Sequence, residues 1–197
     1  MKDWVGTSES AFKQIGASNH CAEDREENDY YATDPKAIDD LIQREKFCHD
    51  IWECASGGGH LVKRLRQLGY CVWSSDLVDR GCQDDIIDFL KEEPRHKYKG
   101  DIITNPPYKY ATDFILKALD IVETGHKVAM FLKLTTLEGQ DRYKQLFSKF
   151  PPKTIYVYTK RIECAKNGEF KGSSAVCYAW FIWEKGWKGN PEIKWIA

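Results

Sequence analysis

From residue 50 onward the chain alternates short, continuous apolar runs with stretches whose apolar residues return every three or four positions. The runs at 50–54 (DIWEC), 71–75 (CVWSS), 101–104 (DIIT), 127–132 (KVAMFL), 154–158 (TIYVY) and 175–183 (AVCYAWFIW) predict strands. Residues 60–69, with Leu61, Leu65 and Leu68 on one side, predict a helix, as do 111–123 and 139–149. Residues 83–91 carry both signals, a short strand running into a helical turn. Ahead of the first strand, Thr33 or Asp34 can cap a helix that Pro35 opens and that Ala37, Ile38, Leu41 and Ile42 stripe with apolar side chains.

Strands alternating with helices imply βαβ units. The expected fold class is therefore α/β: a doubly wound, mostly parallel sheet of the seven-stranded kind with helices on both faces. The last two strands have only irregular sequence between them, which predicts an antiparallel hairpin near one edge. Residues 1–32 break the pattern. They are polar, with an acidic cluster of Glu23, Asp24, Glu26, Glu27 and Asp29, and cannot support a core. The expected organisation is a flexible arm or lid over 1–32 and a single domain over 33–197.

With 197 residues the chain has room for one domain with a full core, and not for two of ordinary size. A formal net charge of −1 gives no global attraction to nucleic acid, so any such contact must come from a local basic patch or a partner chain. Seven Cys stand at irregular positions with no CxxC pair, which points to reduced thiols in a cytoplasmic setting rather than a disulfide framework or a structural zinc site. The five His lack ligand spacing, so the sequence names no metal site. The opening residues hold no apolar signal core, and the run at 175–183 is too short to span a membrane. Trp73 and Trp183 fall in predicted strands and are expected in the core.

Candidate chemistry sits at two strand ends. The first strand runs into Glu53-Cys54-Ala55-Ser56-Gly57-Gly58-Gly59. Its glycines let the backbone turn sharply and approach a ligand, and the helix that follows presents unpaired N–H groups. The turn is neither GxGxxG nor a phosphate loop with its Lys. Asp76, at the end of the next strand, stands where an acidic side chain meets ribose hydroxyls. Nicotinamide cofactors and S-adenosylmethionine share that logic, so these features do not choose between them.

The fourth strand ends in Asn105-Pro106-Pro107-Tyr108. Two prolines hold the backbone extended and remove two N–H donors, leaving carbonyls to point outward. The Asn105 amide oxygen and a proline carbonyl can then form two fixed acceptors, matching the two donors of a planar NH2 group. Tyr108 offers a face on which a base can stack, worth about 1–3 kcal/mol. An aromatic amine is a poor nucleophile because its lone pair is delocalised. Two acceptors favour charge build-up on its nitrogen and hold it in line with an electrophilic methyl group.

These residues resemble the amino-group methyltransferases of the class I, Rossmann-like superfamily, from about Tyr31 to Trp183. The resemblance implies S-adenosyl-L-methionine as cofactor. It implies that Tyr31 to Pro35 leads the helix that touches the methionine carboxylate, with Thr33 in contact. Glu53 to Gly59, including Ala55, Ser56, Gly57 and Gly59, resembles the cofactor glycine motif, whose acidic residue lies near the methionyl amino group. Asp76, with Leu77 beside it, resembles the ribose-binding acid. Asp88 and Phe89 resemble the adenine pocket of the cofactor. Asn105, Pro106, Pro107 and Tyr108 resemble the catalytic motif, with Asn105 also bordering the cofactor.

The order of motifs and the overall size resemble phage-encoded and orphan DNA N6-adenine methyltransferases, which implies a nucleic-acid substrate, DNA first. Many of that group carry Asp where this chain has Asn105, and Asn also occurs in the RNA and release-factor enzymes. Only residues 132–150 separate the fifth strand from the Pro151-Pro152 turn, which leaves no room for a large target-recognition domain. Sequence specificity would then come from loops or a partner chain. An RNA amino methyltransferase, a protein glutamine methyltransferase and a non-catalytic cofactor-binding module remain alternatives. Basic residues Lys133, Lys144, Lys149, Lys153, Lys160, Arg161, Lys166 and Lys171, interleaved with Tyr143, Tyr156 and Tyr158, could line a backbone-tracking groove.

Overall fold

The stretch Lys127–Lys133 shows how the apolar runs become strands. Val128, Met130 and Leu132 pack on one side of it, and Ala129 and Phe131 on the other. Period-two alternation with both faces apolar requires a sheet covered on both sides. The computed structural model describes residues 32–93, 97–162, 164–165 and 176–197. In chain order its elements are β1 (Ala32–Thr33), α1 (Lys36–Ile42), β2 (Asp50–Glu53), α2 (His60–Gln67), β3 (Cys71–Asp76), β4 (Asp85–Ile86) and β5 (Asp101–Thr104). There follow α3 (Ala111–Ile121), β6 (Lys127–Lys133), α4 (Gln140–Arg142), β7 (Thr154–Tyr158), β8 (Cys164–Ala165), β9 (Tyr178–Glu184) and β10 (Glu192–Ile196).

Eight strands form one sheet in the order β10-β7-β9-β6-β5-β2-β3-β4. The run from β4 to β6 is parallel throughout. Helices α1 and α2 cover one face through Ala37, Ile38, Leu41, Leu61 and Leu65, which pack on Ile51, Ile103, Phe131 and Trp180. Helix α3 covers the other through Phe114, Ile115, Ala118 and Leu119, which pack on Trp52, Ile102 and Phe181. The fold is α/β and doubly wound, as the alternation of patterns implied.

The antiparallel strand lies near one edge. It is β9, inserted between β6 and β7, and β10 adds outside β7 in parallel. β10 is not among the strands predicted above: its alternation of Glu192, Ile193, Lys194 and Trp195 is short, and four of its five residues are exposed. The predicted helix at 139–149 is instead the single turn α4 followed by a wider five-residue winding, Tyr143–Phe147, with Leu146 its one fully buried side chain. So few apolar anchors do not hold a regular helix. The ambiguous segment 83–91 resolves into β4 and then a turn in which the Asp88 carbonyl accepts from the N–H groups of Lys91 and Glu92.

The helix start is set by Asp34, whose Oδ1 accepts the Lys36 N–H at 2.9 Å, rather than by Thr33. Trp183 is buried in the core, and Trp73 stacks on Trp52 with ring centres 4.2 Å apart. Their indole N–H groups find acceptors in the Phe150 carbonyl and the Asp85 carboxylate, as indoles held against a core must. Of the expected arm only Ala32 is described. It is buried in β1, which pairs antiparallel with β8. Residues 1–31, and with them Tyr31, lie outside the described residues. Among the described residues no helix is long and apolar enough to cross a membrane.

Candidate active site

In the sheet order, β2 has β3 on one side and β5 on the other. The direction of winding therefore reverses between β2 and β5, and a crevice opens beyond their carboxyl ends. A cavity of about 930 Å³ lies there. Its walls bring together Thr33 from β1, Glu53 from the end of β2, Ala55 and Ser56 from the turn after it, Asp76 and Leu77 from the end of β3, Asp88 and Phe89 from the turn after β4, and Asn105 to Tyr108 from the end of β5.

The glycine turn is built by its backbone. Gly57 and Gly59 have φ of 52° and 73°, conformations that a side chain strains. The Ser56 N–H bonds the Ser75 carbonyl at 3.0 Å, and the Gly59 N–H bonds the Ser56 carbonyl at 2.8 Å. Gly57 and Gly59 do not border the cavity. The Gly57 N–H instead donates to Asp76 Oδ2 at 2.7 Å and so fixes the acid, while Gly59 faces a separate surface hollow beside Cys82.

Glu53 is almost completely buried. Its Oε1 accepts the Ala55 N–H at 3.2 Å, and Oε2 has no partner among the described residues, nor has the buried Ser56 hydroxyl. Burial pushes the Glu53 carboxyl up to about 8, with the nearby Asp76 charge adding to the rise. Asp76 is fully engaged. Beyond Gly57 it accepts the Val78 N–H at 3.0 Å and the Arg80 guanidinium at 2.8 Å, both at Oδ1.

Asp88 is turned toward its own loop. Its Oδ1 accepts the Leu90 N–H at 3.2 Å and its Oδ2 pairs with Lys91 at 2.9 Å, and the lysine holds the Asp88 carboxyl below its usual value. Phe89 is a core residue that also backs the cavity, packed on Trp52 and Phe114 at 5.2 and 5.0 Å between ring centres.

Asn105 Nδ2 donates to Thr33 Oγ1 at 2.8 Å, a bond between residues 72 positions apart that turns the amide oxygen to the opposite side. The Pro107 carbonyl accepts the Tyr110 N–H at 2.9 Å. The Tyr108 ring carries the Lys133 ammonium 4.8 Å from its centre and the Tyr178 ring 5.8 Å away.

Several lining residues were not singled out by the sequence: Arg80, His60, Lys109, Thr135, Thr136 and Arg142. Arg142 donates to the carbonyls of Thr136 at 2.8 Å and of Glu138, and so holds the segment after β6 against the cavity. No motif marks these positions, and only the fold gathers them. Of the basic and tyrosine set proposed for a groove, Lys133 alone among the described residues borders the cavity. Lys153 pairs with Glu184 at 2.6 Å, and Tyr156 is buried with its hydroxyl on Glu45 at 3.0 Å. Lys166 and Lys171 lie outside the described residues.

No family model matches this chain, and no curated protein matches it in sequence. Solved structures do. A Listeria monocytogenes protein described as a class I S-adenosylmethionine-dependent methyltransferase superposes with a TM-score of 0.54 at 15% identity, over 81% of this chain. The M protein of the EcoKI type I restriction enzyme superposes with a TM-score of 0.58 at 14% identity, over 80%. The chain has the class I methyltransferase fold. A structure concerned with converting a disulfide bond into a thioacetal group during echinomycin biosynthesis also superposes, with a TM-score of 0.59 at 13% identity over 80% of this chain and 84% of that one. The chain spans 61% of the Listeria protein and 44% of the EcoKI M protein. At these identities the likeness is one of fold, and class I folds serve more than one chemistry.

Proposed function

We propose that this protein transfers a methyl group from S-adenosylmethionine to an exocyclic amino group, adenine N6 in DNA. The observation that carries the reading is Asn105-Pro106-Pro107-Tyr108 facing the cavity at the end of β5, with Asn105 held by Thr33. A type I restriction enzyme M protein among the similar folds supports the choice of DNA.

The cavity suits the cofactor. Glu53 Oε2 and the Ser56 hydroxyl are buried polar atoms without partners among the described residues, beside the turn that would receive the amino-acid end. Such atoms cost free energy unless a ligand completes them. Asp76 would take the ribose hydroxyls, with Arg80 giving way at Oδ1, and Leu77 and Phe89 would flank the adenosine. When bound, S-adenosylmethionine supplies a methyl group on a positively charged sulfur. Asn105 Oδ1 and the Pro106 carbonyl accept the two N–H groups of the target amine and aim its lone pair. So held, the amine nitrogen would take the methyl group while the electron pair of the broken C–S bond stays with sulfur, and one N–H proton would pass to water. Tyr108 stacks on the base in place of Lys133, whose ammonium is then available to a phosphate.

Incubating the purified chain with methyl-labelled cofactor and separate pools of DNA, total RNA and cell protein tests this directly. Label should enter DNA and be recovered as N6-methyladenine. Label confined to RNA or protein would move the substrate to another class, and no label in any pool would leave a binding module in place of an enzyme.

A further inference from the structure

Three parallel neighbours, β2, β5 and β6, begin together at the end of the sheet opposite the cavity. Cys48 lies just before β2, Asp101 is the first residue of β5, and His126 immediately precedes β6. One ligand atom from each, a thiol sulfur, a carboxylate oxygen and an imidazole nitrogen, lies within 4.8 Å of the others. We propose that Cys48, Asp101 and His126 form a zinc site that ties together the starts of these three strands.

The trio is set up by backbone bonds. The Cys48 N–H donates to Asp101 Oδ2 and the Lys127 N–H to Asp101 Oδ1, each at 2.7 Å. The Asp101 N–H in turn donates to Cys48 Sγ at 3.1 Å, and His126 Nδ1 faces Asp101 Oδ1 at 3.2 Å. Donors of this kind fix the orientation of ligating groups and tune them. The carboxylate alone, with its two backbone partners, would brace the strands. The Cys48 thiol also donates to the Asp50 carbonyl at 2.9 Å, a bond that its deprotonation on metal binding would give up.

Mixed sulfur, nitrogen and oxygen donors select zinc over magnesium or calcium, which prefer oxygen alone. Zinc bond lengths place neighbouring ligand atoms about 3.3–3.8 Å apart, so small side-chain rotations close the trio around an ion, with water as a fourth ligand. Asp101 is buried while Cys48 and His126 are half-buried, which leaves a path in from solvent. Binding replaces the thiol proton, which passes to water.

The test is a cobalt titration of the full chain after dialysis against a chelator. Saturation at one ion per chain is expected, with visible ligand-field bands and a sulfur-to-metal charge-transfer band, both abolished by one equivalent of zinc. Cys48→Ser should remove the charge-transfer band. His126→Gln should weaken binding by more than about 10–100-fold, the loss that follows from removing an outer partner alone. Cys177→Ser, at an exposed thiol whose backbone carbonyl accepts the Leu134 N–H beyond the far end of β6, should change nothing. Failure of the wild-type chain to take up one cobalt ion overturns the site, as does a charge-transfer band that survives Cys48→Ser or an affinity that ignores His126→Gln.

Discussion

Asn105 reaches its place through a partner that the chain visits 72 residues earlier. That bond gives the amide a fixed orientation before any substrate arrives, which is the condition for it to act on a transition state. Asn105→Ala should therefore lower single-turnover methyl transfer by roughly 10²–10³-fold while leaving cofactor affinity, measured by calorimetry, nearly intact. Thr33→Val should reproduce part of the loss, since it frees the amide to rotate. Wild-type turnover in Asn105→Ala would remove the motif from the chemistry. Glu53 gives a second handle, through pH. Its carboxyl is raised to about 8 in the fold, against an ordinary value of 4.5. The folded state thus holds a proton that the unfolded chain has lost. The stabilisation is full below the ordinary value and disappears as pH rises through 8, over a range on the order of a few kcal/mol. Denaturant melts at about pH 6 and pH 9 should show the ligand-free protein weaker at the higher pH, and Glu53→Gln should flatten that difference. An equal slope in the variant would assign the pH dependence to other groups.

Among the elements, the segment between β6 and α4 is held by backbone bonds and by one long side chain from α4. Arg142 bonds carbonyls of Thr136 and Glu138 across the loop that borders the cavity. Arg142→Ala should cost about 1–3 kcal/mol in denaturant melts, the size of losing bonds to a charged donor. It should also raise the KM for the methyl acceptor more than that for the cofactor, because the loop lies on the Tyr108 side of the cavity. An unchanged melt would show the loop to be held by its backbone alone. Elements with dense apolar patterns, such as α3 and β6, were legible from the sequence because burial imposes their period. β10 and the 139–149 segment were not: β10 offers only a short alternation on exposed residues and its place is decided by pairing with β7, while 139–149 has too few buried apolar anchors to set a period.

For the molecule as a whole, the chain order of motifs was enough to reveal the doubly wound sheet and part of the cavity wall, since strand ends in such a fold must converge. Gly57 and Gly59 shape the turn with the positive φ that the sequence implied, and Gly57 also fixes Asp76 through its N–H. What stayed hidden were groupings across sequence distance. Lys133 over Tyr108 and the trio of Cys48, Asp101 and His126 follow no spacing rule and become visible only once the strands are laid side by side.

The position of β9 sets the order in which this protein can be completed. Residues 178–184 fill the slot between two strands that precede them in the chain, bonding β6 along its whole length and β7 along most of its own. Until that segment has left the ribosome, β6 and β7 cannot meet, and each exposes a bare edge beside buried-type residues such as Phe131 and Ile155. Synthesis therefore passes through a stage in which the half-sheet from β4 to β6 can stand while its most apolar flank waits for YAWFIWE to arrive. In that interval a second nascent chain offers the same vacant partner, so expression at high density should favour inclusion bodies built on this seam.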